Sequence, residues 1–194
     1  MANHKSSVSS LYIVLVSAGS FLLAVLFFWV SNLLGVKMQS LVLSVIFLIL
    51  IIMVGIAADI LGVSVTAASE VPLHAKAAKK IPGAAEGVFL IRNADRVANL
   101  MNDVVGDIAG TVSGALGIAL VMHILVYWQG ISQLTLNMLL TATIAALTVG
   151  GKAAGKRIAL VYADQVVYLT GRVLHGFSLI TGKSFTPRPR KTSK

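Results

Sequence analysis

Residues 53–70 read MVGIAADILGVSVTAASE. The composition is that of a membrane-spanning helix, yet Asp59 lies inside it and Glu70 closes it. At about 100° per residue, Gly55, Asp59, Gly62, Thr66 and Glu70 share one face. A helix with one polar, glycine-lined stripe packs that stripe on protein and shows the rest to lipid. A bare charge in hydrocarbon costs on the order of 3 kcal/mol or more, so such acids are turned inward, paired or bound to an ion. The partner stretch, residues 99–117, reads NLMNDVVGDIAGTVSGALG and places Asp103 and Asp107 one helical turn apart. The rest of the chain reads as scaffold for these acids.

Composition supports a membrane protein. The chain has 194 residues, of which 57% are hydrophobic and 12% charged, where a soluble domain has about a quarter charged. Mean hydropathy is +0.88. There are no cysteines, which excludes disulfides, thiolate catalysis and Cys-based metal sites. The four histidines (His4, His74, His123, His175) offer no ligand pair at helical spacing. The net charge of +9 falls beside apolar runs and in the tail. That placement fits the positive-inside rule and anionic lipid headgroups rather than nucleic acid.

The expected fold is all-α and integral to the membrane, with four transmembrane helices, a cytoplasmic linker helix and an amphipathic surface helix. Residues 1–10 form a polar cytoplasmic amino terminus. Residues 11–69 hold transmembrane helices 1 and 2. The first, 11–36, is too long for a signal peptide and lacks a small-x-small cleavage site. A short break at 35–39 separates them. Residues 70–98 form a basic cytoplasmic linker, broken by Pro72 and Pro82-Gly83, in which 84–100 is expected to be an interfacial amphipathic helix. Residues 99–151 hold helices 3 and 4, the fourth ending at Gly150-Gly151. Gly106, Gly110 and Gly114, then Gly117, offer a close-packing ladder, and Tyr127-Trp128 marks an interface. Residues 152–182 are expected as a surface-lying amphipathic helix, with a fifth span as the alternative. Residues 183–194 form a basic disordered tail. The basic segments orient both termini toward the cytoplasm of the cell membrane.

Three motifs occur in order. Ala67-Ala68-Ser69-Glu70 is followed by a basic linker with Ala94-Asp95-Arg96, and then by Gly106-Asp107. Over roughly residues 40–182 the chain resembles the transmembrane domain of the CNNM/CorC magnesium transporter family. That family carries a small-x-Ser-Glu motif, a linker element ending in acid-Arg, a Gly-Asn at the next helix start, and a last span ending in Gly-Glu. Here a Ser of the family site reads Ala67, the Asn reads Asp107 and the Glu reads Gly151, with Lys152 following. The cytoplasmic CBS-pair module is absent, so a separate regulatory chain is a possible partner. The resemblance also implies a homodimer.

Two readings stay open. In the first, Asp59, Ser69, Asp103 and Asp107 hold Mg2+, Gly106 admits the ion or a neighbouring backbone, and Glu70 caps the cytoplasmic mouth or pairs with a linker base. Magnesium takes about six oxygens, one or two of them carboxylate, and keeps several waters. In the second, Lys152 or a linker arginine neutralises Asp107, and the protein is a non-transporting scaffold or regulatory subunit. His123 reads as a lone membrane histidine bonded to a neighbour. No Ser-His-acid triad, P-loop or dinucleotide fingerprint occurs, so an enzyme is not expected.

Overall fold

The computed structural model describes residues 10–37, 40–128 and 130–182. The tail 183–194, and the expected amino-terminal segment apart from Ser10, lie outside them. Among the described residues the chain is all-helical: α1 (Ser10–Lys37), α2 (Leu41–Ala67), α3 (Glu70–Ala78), α4 (Ala84–Arg92), α5 (Ala94–Ala98), a π-helical segment (Asn99–Val105), α6 (Gly106–Tyr127), α7 (Gln133–Val161) and α8 (Ala163–Thr181). Three stretches are long and apolar enough to cross a membrane: Leu41–Ala67, Ala94–Tyr127 and Gln133–Val161. The first expected span, 11–36, is helical as α1, with a shorter apolar stretch, Val16–Trp29. Phe21, Leu22, Phe28, Val42, Leu50 and Met53 are all more than half exposed. Water would penalise such a surface, whereas lipid tails do not.

The described residues divide into two compact units, those within 1–51 and 108–144, and those within 52–107 and 145–194. In the first unit, α6 buries Ala109, Val112, Leu120 and Val121. Gly117 is covered by Ile144 of α7, whereas Gly110 and Gly114 have nothing within 4 Å of an added Cβ. The glycine ladder is therefore filled only in part. Ser113 is buried and donates to the Ala109 carbonyl at 2.8 Å. His123 meets the ring of Tyr127 on its own helix, centroids 6.0 Å apart.

In the second unit, α2 and α7 run side by side in the same direction. Ile56 fills the space over Gly151, and Ile60 the space over Gly155. One turn further, Ser64 Oγ donates to the Ala159 carbonyl at 3.4 Å. The Ser69 amide then donates to Asp164 Oδ1 at 2.8 Å, which fastens the α2–α3 and α7–α8 junctions together. Each pair is 95 residues apart in sequence, so the register is held throughout.

Several expected boundaries change. Helix α2 ends at Ala67, Ser69 is the N-cap of α3, and Glu70 opens α3, where the positive end of the helix dipole favours an acid. The polar stripe is buried at Gly55, Asp59 and Gly62 but not at Thr66. The fourth span does not stop at Gly151, and the surface helix does not begin at 152. Helix α7 continues through Lys152 to Val161, because Gly151 and Gly155 are seats for α2 rather than breakers. The expected helix 84–100 is broken at Asn93, whose Nδ2 donates to the Phe89 carbonyl at 2.8 Å.

Helices α3, α4 and α8 form a layer around Val65, Leu73, Val88, Leu90 and Val167. Gly83 caps α4 with φ +84°, a left-handed conformation that favours glycine. A Cβ on Gly171 would strike the Gly83 carbonyl oxygen and approach the Gly87 amide nitrogen at 2.8 Å, so the backbones of α4 and α8 touch. The apolar sides of these two helices, expected to lie separately along a membrane surface, cover each other.

Candidate functional site

The site is a polar seam in the second unit, where α2, the π-helical segment with the first residue of α6, and α7 meet. On α2 the 3.6-residue turn sets three directions. Ile56 and Ile60 face α7, and Gly62 faces Asn102 of the π-helical segment. Asp59 lies about 60° round the helix from both Gly62 and Ile56, so it is directed between the two neighbours. It is 6% exposed, and its Oδ2 has no hydrogen-bond partner.

The π-helical segment supplies the second wall. The Gly106 amide bonds to the Met101 carbonyl, five residues back. Such segments are rare and often mark functional sites. The Asn102 carboxamide occupies the space that a side chain at position 62 would fill. Its Oδ1 is buried and has no partner. On α7 the buried Thr148 Oγ1 also lacks a partner, but by the α2–α7 register it is level with Met53, about 9 Å along the axis from Asp59. Lys152, one turn on, brings its ammonium to 3.4 Å from the Cβ position of Gly106. Two oxygens that can only accept, from Asp59 and Asn102, thus lie about one helical turn apart with no donor. Burying such groups unsatisfied costs about 1–3 kcal/mol each, more for a charge.

Of the sequence-derived residues, Asp59, Gly106 and Lys152 are gathered at this seam. Ser69 lies beyond the end of α2, at least about 12 Å along the axis from Asp59. Its amide is bonded to Asp164. Asp103 and Asp107 are exposed. Among the described residues no group of three or more His, Asp or Glu side chains is placed to hold a metal ion. The seam therefore offers one buried carboxylate with neutral oxygens. Asn102 went unnoticed as a site residue because a lone amide in an apolar run carries no signal in sequence. Only its missing partner singles it out.

Two further polar clusters lie in the α3–α4–α8 layer. Glu70 Oε1 accepts from Arg92 Nε at 2.6 Å and lies 2.7 Å from His74 Nε2. The Arg92 side chain bonded to it holds the Glu70 carboxyl below the usual glutamate range, with His74 adding to the effect against partial desolvation. His74 Nε2 is also 2.9 Å from Arg92 Nη2. One nitrogen cannot serve both: protonated, it donates to Glu70, and bare, it accepts from Arg92. In the second cluster, His175 Nδ1 lies 2.9 Å from Glu86 Oε1, joining α8 to α4. The expected pairing of Glu70 with a linker base is thus present, through Arg92.

No known family model, curated protein or solved structure matches the chain.

Proposed function

We propose that this is an integral membrane protein that handles divalent cations, magnesium first, as the motif resemblance to CNNM/CorC domains suggests. The single observation that carries the reading is Asp59, a buried carboxylate in an apolar helix with one oxygen unpartnered, about one helical turn from Gly62, over which the unpartnered oxygen of Asn102 lies. An ionisable group at such a place is by default a functional site. Magnesium asks for only one or two carboxylates and retains waters, so Asp59 with the Asn102 oxygen and water would be the donors. Asp103 and Asp107, exposed one turn apart, would attract the ion toward the seam. Transport would expose the site alternately to the two sides. In this reading α1 completes four spans in the cell membrane, both termini are cytoplasmic and bind anionic headgroups, and open Gly110 and Gly114 face a second copy.

The second reading is a non-transporting scaffold or regulatory subunit. What favours it is Lys152, whose ammonium already brings positive charge to the seam. Magnesium titration of the purified protein, followed by calorimetry, separates the two. Saturable binding that Asp59→Ala abolishes and Asp107→Ala weakens is expected. Absence of saturable binding by the wild type would leave only the scaffold.

A further inference from the structure

We propose that α8 carries a second apolar face that rests on the bilayer surface, and that the bases beside it select anionic phospholipid headgroups. The inference stands apart from the cation reading and rests only on the chain being a membrane protein.

The two faces of α8 come first. Ala163, Val167 and Gly171 are buried, Val167 in the core of the α3–α4–α8 layer and Gly171 against the backbone of α4. Leu169, Val173, Phe177 and Ile180 are all more than half exposed. At about 100° per residue these four fall within about 80° of arc, centred about 120° round the helix from the covered side. Helix α8 is thus apolar on two sides, and α4 accounts for one. A stripe of four large apolar side chains is penalised in water and is at home at the boundary of headgroups and acyl chains.

Continuity with α7 names the occupant. Helix α7 is long and apolar enough to cross a membrane. Its exposed apolar surface runs through Leu160 and Val161 to Tyr162, at the junction with α8. A tyrosine in that place suits the membrane interface. Lys156 and Arg157, both exposed about one turn before the end of α7, mark the level of the headgroups. Helix α8 then starts where α7 meets them, and its bare stripe prolongs a lipid-facing surface.

Charge narrows the kind of lipid. Arg172 is exposed and lies about 100° round the helix from Val173, at the edge of the stripe. Its backbone packs on Gly83, where a side chain would strike it. Lys79 and Lys80, just before Gly83, are exposed, and Lys76 Nζ lies 4.1 Å from the Tyr168 ring centroid, which ties α3 to α8. Among the described residues Lys79, Lys80 and Arg172 make no ion pair. Glu86, on the same crossing, is taken by His175. Long basic side chains at the edge of an apolar stripe lay their stems on it and hold their charges among the phosphates, and each base adds attraction to an anionic leaflet. The sequence that follows α8, 183–194, adds five bases and no acid.

The chain has no cysteine, so a nitroxide label can be placed at one chosen position. The full chain with Val173→Cys is labelled and reconstituted into phosphatidylcholine vesicles, with and without phosphatidylglycerol. Electron paramagnetic resonance then measures collisions of the label with oxygen and with a water-soluble nickel complex. Leu147→Cys, at an exposed position of α7, reports insertion of that span. The label at 173 should favour oxygen over the nickel complex, and more so with phosphatidylglycerol. That gain should be lost when Lys79→Glu and Arg172→Glu are added. A label at 173 that meets the nickel complex freely, while the label at 147 favours oxygen, overturns the proposal and leaves the membrane reading standing. Spectral broadening between labels at 173 on two copies also overturns it, since the stripe then faces a second copy. So does a preference for oxygen that is indifferent to phosphatidylglycerol. Free access of the nickel complex to the label at 147 removes the membrane reading, and this inference with it.

Discussion

Asp59 and Glu86 are buried to the same degree, 6% and 7% exposed, and they end differently. Glu86 accepts from His175 across the α4–α8 crossing. Asp59 keeps an oxygen with no partner. Burial alone thus separates nothing. The paired acid holds two helices together, and its worth is structural. The unpaired acid costs stability, and a fold keeps such a cost where it has a use. The same contrast holds for the glycines. Gly83, Gly87 and Gly171 let backbones touch, whereas Gly110 and Gly114 meet nothing within 4 Å.

The largest expected effect attacks the paired side at its foundation. Gly171→Ala drives a Cβ into the Gly83 carbonyl, and neither backbone can yield. Overpacking of this kind costs about 1–3 kcal/mol, and this site falls at the upper end because the obstacle is backbone. Thermal unfolding in detergent should show the lower midpoint, and the link between His175, one turn further on, and Glu86 should be lost. An unchanged midpoint would mean that α4 and α8 do not cross so closely. Glu86→Ala is the intermediate case. It leaves His175 without its acceptor and should destabilise by about 1–2 kcal/mol, with Glu86→Gln recovering part of the loss. If Glu86→Ala were neutral, the distinction between the two buried acids would collapse.

The smallest effect concerns Glu70, which is one-third exposed and paired to Arg92. Its folded pKa lies below the ordinary value. The pairing therefore contributes fully above the unfolded glutamate pKa and fades as pH falls through the lowered folded one. Unfolding midpoints of wild type and Arg92→Gln should differ slightly at neutral pH and converge in acid. Because the pair is partly solvated, the difference should be small. A gap that widens in acid would contradict the assignment.

Much of the fold was legible because hydropathy picks out helices long and apolar enough to cross a membrane. The three long apolar stretches and the basic break after Glu70 follow from composition. What sequence could not show was covering. The amphipathic pattern of 152–182 says that one side is apolar, and lipid or α4 would satisfy it equally. Gly150-Gly151 looks like a helix end until Ile56 is seen seated on the second glycine. At the site, Asp59 was legible because a charge in an apolar run stands out. Asp103 and Asp107 stood out for the same reason, yet they are exposed. Asn102 was silent because its interest lies in a missing partner, a property of three helices together.

The central claim is that Asp59 is an unfinished site rather than a structural acid. Thermal unfolding of wild type and Asp59→Asn, across a magnesium titration, tests it most directly. Without magnesium, Asp59→Asn should melt at or above the wild-type midpoint, because a buried charge lacking a fixed partner has been removed. With magnesium, wild type should gain stability, about 2.7 kcal/mol at one hundred times the dissociation constant, and Asp59→Asn should not respond. A variant that melts lower than wild type without magnesium, with both proteins indifferent to the ion, would make Asp59 a second Glu86 and contradict the account.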